Sequence, residues 1–111
     1  MHLLHVVVIA GTSPILTDAL SLLLAQQPDL QVAGTAHTGS SLQLLIDRYL
    51  PHVVLIGPQL DQLDCASLTR TIKAAHPQTG VVVFGADQPE QTIPAVIAAG
   101  AEGFVPLCKC P

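Results

Sequence analysis

Val6-Val7-Val8-Ile9-Ala10-Gly11-Thr12-Ser13-Pro14 is the stretch that decides the class of this chain. Its first five residues form a continuous apolar run, β-branched up to Ile9 and without polar alternation, which is the pattern of a strand covered on both faces. Ser13 then supplies an N-cap and Pro14 a first-turn proline. Beyond them Leu16, Ala19, Leu20 and Leu23 recur at helical spacing until Pro28 interrupts. A central strand thus runs directly into a helix of about 13 residues.

The same cycle repeats outward from that start. Gln31 to Thr35 reads as a second strand, and Gly39 and Ser40 open a helix whose buried stripe is Leu42, Leu45, Ile46 and Tyr49. After Pro51, Val53-Val54-Leu55-Ile56 is a third strand. A third helix carries Leu68, Ile72 and Ala75 before His76-Pro77, and Val81 to Phe84 is a fourth strand. A fourth helix carries Ile93, Val96 and Ile97 up to Gly100, and Gly103 to Val105 is a fifth strand. Five apolar strands alternating with helices of this length demand parallel pairing with right-handed crossovers, because each connection has to return over the sheet. The class is doubly wound α/β. Periodicity does not order the strands, although the first and third are the most continuously apolar and belong at the centre.

The 111 residues, half of them apolar, have the size of one domain and can bury a core without staples. Residues 1–111 are therefore read as a single domain truncated after the fifth strand, with the last helix absent. On that reading the sheet beside Phe104, Val105 and Leu107 is an interaction surface, covered by self-association or by another protein. The basic residues Arg48, Arg70, Lys73 and Lys109 are scattered against eight acids. No stripe exists that would neutralise a row of phosphates, which excludes direct nucleic-acid binding by this chain. His2 to Ala10 lacks a basic leader and a cleavage site, and no run approaches the roughly 18 apolar residues of a membrane helix. Cys65, Cys108 and Cys110 are an odd, small set that argues for free thiols, so the chain reads as cytoplasmic.

Candidate chemistry is thin. Gly11-Thr12-Ser13-Pro14 lies where backbone N–H groups and a helix dipole favour an anion, but neither a GxGxxG fingerprint nor a P-loop is present, and Ser13 serves as an ordinary cap. Asp61 and Asp64 are a carboxylate pair with nothing to join them, and Asp64 and Asp87 read as cap or turn residues. His2, His5, His37, His52 and His76 form no i, i+4 pair on one helix and no zinc spacing with cysteine, and Cys108-Lys109-Cys110 is too short for a CxxC redox turn. No nucleophile–base pair and no metal set emerge, so the chain is read as neither an enzyme nor a cofactor binder.

Several short motifs, in order and spacing, resemble those of the response-regulator receiver domain, of the type found in front of helix-turn-helix outputs. They are Val8 to Pro14 as quoted above, Gln27-Pro28-Asp29-Leu30-Gln31-Val32-Ala33-Gly34, Pro51-His52-Val53-Val54-Leu55-Ile56, and Ala99-Gly100-Ala101-Glu102-Gly103-Phe104. The resemblance runs nearly end to end and implies a flavodoxin-like five-stranded sheet in the order 2-1-3-4-5, with any site at the carboxyl ends of the strands. It also implies a magnesium ion held by three carboxylates, one of which takes a phosphoryl group. On the matching positions this chain has Gly11 and Thr12 for the acidic pair, Gly57 for the acceptor, Gly85 for the hydroxyl and Leu107 for the lysine, with Lys109 two residues late. The expectation is a pseudo-receiver, a non-phosphorylatable regulatory module of bacterial two-component signal transduction that acts on a protein partner or on itself. The alternative is a small-ligand or anion-binding domain using the crevice at the carboxyl ends of the first and third strands. Phe104 stands where receivers commonly carry a mobile aromatic residue and is expected to be packed in the core.

Overall fold

A computed structural model describes the backbone of residues 5–57, 59–60, 63–84 and 89–105, and the side chains of the same residues except 59–60, 63–65, 89–92 and 104–105. In chain order the elements are β1 (His5–Ala10), α1 (Pro14–Ala25), β2 (Leu30–Ala36), α2 (Gly39–Tyr49), β3 (Val53–Ile56), β4 (Gln59–Leu60), β5 (Leu63–Asp64), α3 (Cys65–Ala75), β6 (Gly80–Phe84), α4 (Pro89–Ala99) and β7 (Gly103–Val105). The main sheet is parallel throughout, in the order β2-β1-β3-β6-β7. Its β2, β1, β3 and β6 stand in the order 2-1-3-4 of flavodoxin-like folds, and β7 lies against Val82–Phe84 of β6. The β1–β2 register shifts once, Val7 facing Val32 and Val8 facing Gly34, so that Ala33 is accommodated as an extra residue.

Local signals explain where the helices begin. Ser13 sits in the extended region and its hydroxyl accepts from the Leu16 N–H at 3.3 Å, with Pro14 as the first helical residue. Thr38 caps α2 in the same way, accepting from the Ser41 N–H at 3.1 Å. At the other end of α2, Leu50 takes the left-handed conformation with φ 47, its N–H returning to the Ile46 carbonyl. That geometry is usually left to glycine and costs a leucine roughly 1–2 kcal/mol.

The sheet buries one face completely. Val8, Ala10, Val54, Ile56, Val81 and Val83 are fully buried beneath Leu42 and Ile46 of α2, Leu68 and Ile72 of α3, and Val96 of α4. On the opposite face Val7, Ile9 and Phe84 are buried with Leu16, Leu20 and Leu24 of α1, while Val53 and Leu55 are only half-buried there. Alternation within β3 and β6 follows directly from this asymmetry.

Four expectations about helix faces are corrected. Leu23 is 60% exposed and Ala19 is exposed, their inward places being taken by Leu24 and the buried Thr17. Tyr49 lies at the surface with Arg48 5.5 Å from its ring centroid. Ala75 is exposed, and Ile93 and Ile97 of α4 face out while Val96 faces in. The cause is common to all four: these helices carry apolar residues on more than one flank, and the spacing that identifies a helix does not say how it is rotated. The β4–β5 hairpin, with Gln59 opposite Asp64 and Leu60 opposite Leu63, lies between β3 and α3, where the sequence shows no strand pattern. Strands of two residues are too short to leave a period-two signature. Among the described residues, no helix is long and apolar enough to cross a membrane.

Candidate functional site

The parallel ladder carries Gly11 and Gly57 to adjacent positions, because β1 and β3 end in register at Ala10 and Ile56. Both glycine N–H groups are already bonded, Gly11 to the Ala36 carbonyl at 3.0 Å and Gly57 to the Ala10 carbonyl at 2.8 Å. Between them lies a pocket of about 160 Å3, lined by Gly11, Gly57, Thr12, Ser13, Leu16, Thr17 and Phe84. Three of the positions singled out from the sequence, Gly11, Thr12 and Gly57, thus meet at one pocket. Gly85 and Leu107 lie outside the described residues, as do the side chains of Phe104 and Val105 and the residues Asp61, Asp87, Cys108 and Cys110.

Phe84 sets the chemistry of this pocket. It is the last residue of β6, it is 3% exposed, and its ring tip would lie 3.5 Å from a Cβ at position 57 and 3.6 Å from one at position 11. A methyl group at 57 makes ordinary contacts, one at 11 would press on the Thr17 methyl, and a longer side chain at 57 would have to share its space with the aromatic ring. The hydroxyls nearby are turned to other tasks. Ser13 Oγ caps α1, and Thr17 Oγ1 donates to the carbonyls of Ser13 at 3.2 Å and Pro14 at 3.1 Å. Thr17 Oγ1 also lies 3.1 Å from Nε2 of His37, within hydrogen-bond distance. What Thr17 turns toward Gly11 is its methyl, 3.3 Å from where a Cβ at position 11 would lie.

A set of charged and titratable groups lies at the amino end of the sheet. Lys73 Nζ donates to the carbonyls of Pro77 at 3.0 Å and Thr79 at 2.9 Å and to Glu102 Oε2 at 2.7 Å. The other carboxylate oxygen of Glu102 accepts from the Val81 N–H at 2.8 Å. Burial acts to raise the Glu102 carboxyl, but the hydrogen bonds from Lys73 and Val81 outweigh it and hold the group below the usual carboxylate range. Gly100 adopts φ +111 beside this cluster, where a Cβ would stand 3.2 Å from Lys73 Cγ, so glycine is required on both conformational and spatial grounds.

His52 extends the β1–β3 ladder by one step. Its N–H donates to the Val6 carbonyl at 2.8 Å, and its Nδ1 accepts from the Val6 N–H at 2.9 Å, which places the ring hydrogen on Nε2. His5 meets the same ring edge-on, 5.2 Å between centroids. A cleft of about 480 Å3 opens between the loops that precede β3 and β6, with Leu50, His52 and His76 on its walls, and His76 Nε2 lies 3.2 Å from Asp47 Oδ1. Among the described residues no three His, Cys, Asp or Glu side chains are grouped so as to hold a metal.

Sequence reasoning did not find Phe84, Thr17 or the Lys73–Glu102 pair. Thr17 had a local signal, a hydroxyl one turn after the Ser13 cap where it bonds a helix carbonyl. Phe84 was legible as a strand residue but not as the filling of a crevice. Lys73 and Glu102 are 29 residues apart with no shared motif.

Residues 7–107 match the family model described as the response regulator receiver domain. Among curated proteins the chain is similar to the transcriptional regulatory protein DegU of Brevibacillus brevis, with 22% identity over 99 residues that cover 89% of this chain and 42% of that protein. It is also similar to a protein-glutamate methylesterase/protein-glutamine glutaminase of Methanospirillum hungatei, with 28% identity over 85 residues, 77% of this chain and 24% of that protein. Among solved structures it is similar to a LuxR-family two-component response regulator from Aurantimonas, with a TM-score of 0.86 and 19% identity over 93% of this chain and 74% of that one, a likeness of fold. The chain spans less than half the length of these two curated relatives.

Proposed function

The chain belongs to the response regulator receiver family, and on that premise we propose that it is a phosphorylation-independent module of two-component signalling, acting through fixed surfaces on a protein partner or on a second copy of itself. The observation that carries the reading is the makeup of the crevice at the ends of β1 and β3. A phosphoryl-accepting site needs an oxygen nucleophile and carboxylates for a hard divalent cation. Gly11 and Gly57 offer none of these, Thr12 offers a hydroxyl but no carboxylate, and the buried Phe84 ring occupies the space beside both glycines. Signalling by contact needs no chemistry at this point, only the retained scaffold.

The anion-binding alternative draws less support. Of the N–H groups around the crevice, those of Gly11, Gly57, Leu16 and Thr17 are bonded to Ala36, Ala10 and the Ser13 cap. Beryllofluoride with magnesium tests the main reading directly. The amide spectrum is expected to stay unchanged; saturable shifts at Gly11 and Gly57 would sink the proposal.

A further inference from the structure

Two helices carry large apolar side chains that the fold leaves on its surface. On α1, Ile15 is 83% and Leu22 69% exposed, and Asp18 and Ala19 are exposed between them. Helical residues three and four apart share a face, so Ile15, Asp18 and Leu22 form one stripe, and Asp18 is the single charge of this helix. On α2, Leu44 is 71% exposed one turn before the exposed Arg48, and Leu50 follows at the helix end, 64% exposed. That stripe carries a single cation. Asp47, the other charge of α2, lies against His76. Among the described residues neither Asp18 nor Arg48 belongs to an ion pair, and the Arg48 guanidinium is steadied 5.5 Å from the Tyr49 ring centroid.

We infer that α1 of one copy docks antiparallel on α2 of a second copy, with Asp18 against Arg48. Leu22, one turn after Asp18, then meets Leu44, one turn before Arg48, while Ile15 comes beside Tyr49 and Leu50 and the small Ala19 lets the helices approach. Charge and apolar pattern match together in this pairing. Two α1 stripes or two α2 stripes brought together would instead set like charges side by side. Because α1 packs on one face of the sheet and α2 on the other, the contact is head-to-tail and leaves one stripe of each copy free for the next. One stripe on another falls below the roughly 1,200 Å2 of a standard interface, so a dissociation constant of about 0.1 mM is expected. The inference deepens the interaction reading, on which it rests, by naming the second copy and the surface.

Sedimentation of the 111-residue chain up to about 1 mM, with 15N amide spectra over the same range, tests it. Concentration-dependent association is expected, with shifts along α1 and α2. Asp18→Arg and Arg48→Asp are surface changes expected to fold, and each sets like charges across the contact and weakens association by roughly tenfold or more. Their equimolar mixture is expected to regain the wild-type affinity, because every stripe then meets an unlike charge again. Leu44→Ser, which leaves the charges alone, should weaken association as well. A chain that stays monomeric overturns the inference and leaves the reading above with a different protein as partner. Association indifferent to these substitutions, or a mixture that stays apart, overturns the pairing. Association through these stripes that requires beryllofluoride and magnesium removes the reading above and spares the contact.

Discussion

At the carboxyl ends of β1 and β3 the described lining is glycine hydrogens, a threonine methyl and the Phe84 ring, whereas the amino ends of β3 and β6 carry His52, His76, Lys73 and Glu102. In an open α/β sheet, ligands bind at the carboxyl ends. The polar side chains at the amino end serve main-chain groups. Lys73 satisfies the carbonyls of Pro77 and Thr79, the Thr79 hydroxyl satisfies that of Pro51, and His52 satisfies both main-chain groups of Val6. Every one of these partners lies at a strand start or in the loop before it, where main-chain groups would otherwise be unpaired. The described polar side chains at the amino end therefore act as structural staples.

The largest test of this contrast is Phe84→Ala. Removing a buried ring beside an existing cavity is expected to cost about 3–5 kcal/mol in urea denaturation, more than any single change at the amino end. A loss below about 1 kcal/mol would mean the ring does not pack the crevice.

His52 comes next. His52→Ala leaves the Val6 N–H without its acceptor and is expected to cost about 1–2 kcal/mol, while His52→Asn, whose side-chain oxygen can stand near Nδ1, should recover most of it. If both variants lose the same amount, the ring matters by packing and the stapling argument fails for this residue.

The smallest effect is the pH dependence of Glu102. Its carboxyl is held low in the folded chain, so its contribution is fully present above the ordinary glutamate pKa of about 4.3 and is lost as pH falls through the lower folded value. The side chain is 52% exposed, so solvent screening keeps the effect under about 1 kcal/mol. Glu102→Gln should be less stable than wild type near neutral pH, and the gap should narrow on acidification. A gap that widens toward acid would contradict the assigned role of the Lys73 ion pair.

Much of this was legible before any coordinates. The Val6–Ala10 run, the Ser13 cap and the Val53–Ile56 run led to β1, α1 and β3 because each is a pattern within a few neighbouring residues. The positions Gly11, Thr12 and Gly57, singled out from the sequence, line one pocket, since strand ends in a parallel sheet come together once the order is known. Leu23, Tyr49 and Ile97 went the other way. Each sits at a spacing that fits a buried stripe, and each is exposed because a helix with two apolar flanks is oriented by what it packs against.

By itself, then, the amino-acid sequence determined the alternation of strand and helix, the parallel class and the absence of carboxylates at Gly11, Thr12 and Gly57, because period, capping and residue identity are local properties. Only the tertiary structure decided that the Phe84 ring borders the space between those glycines and that Lys73 reaches Glu102. Those outcomes depend on distances between segments far apart in the chain, and such distances exist only once the helices have settled on the sheet.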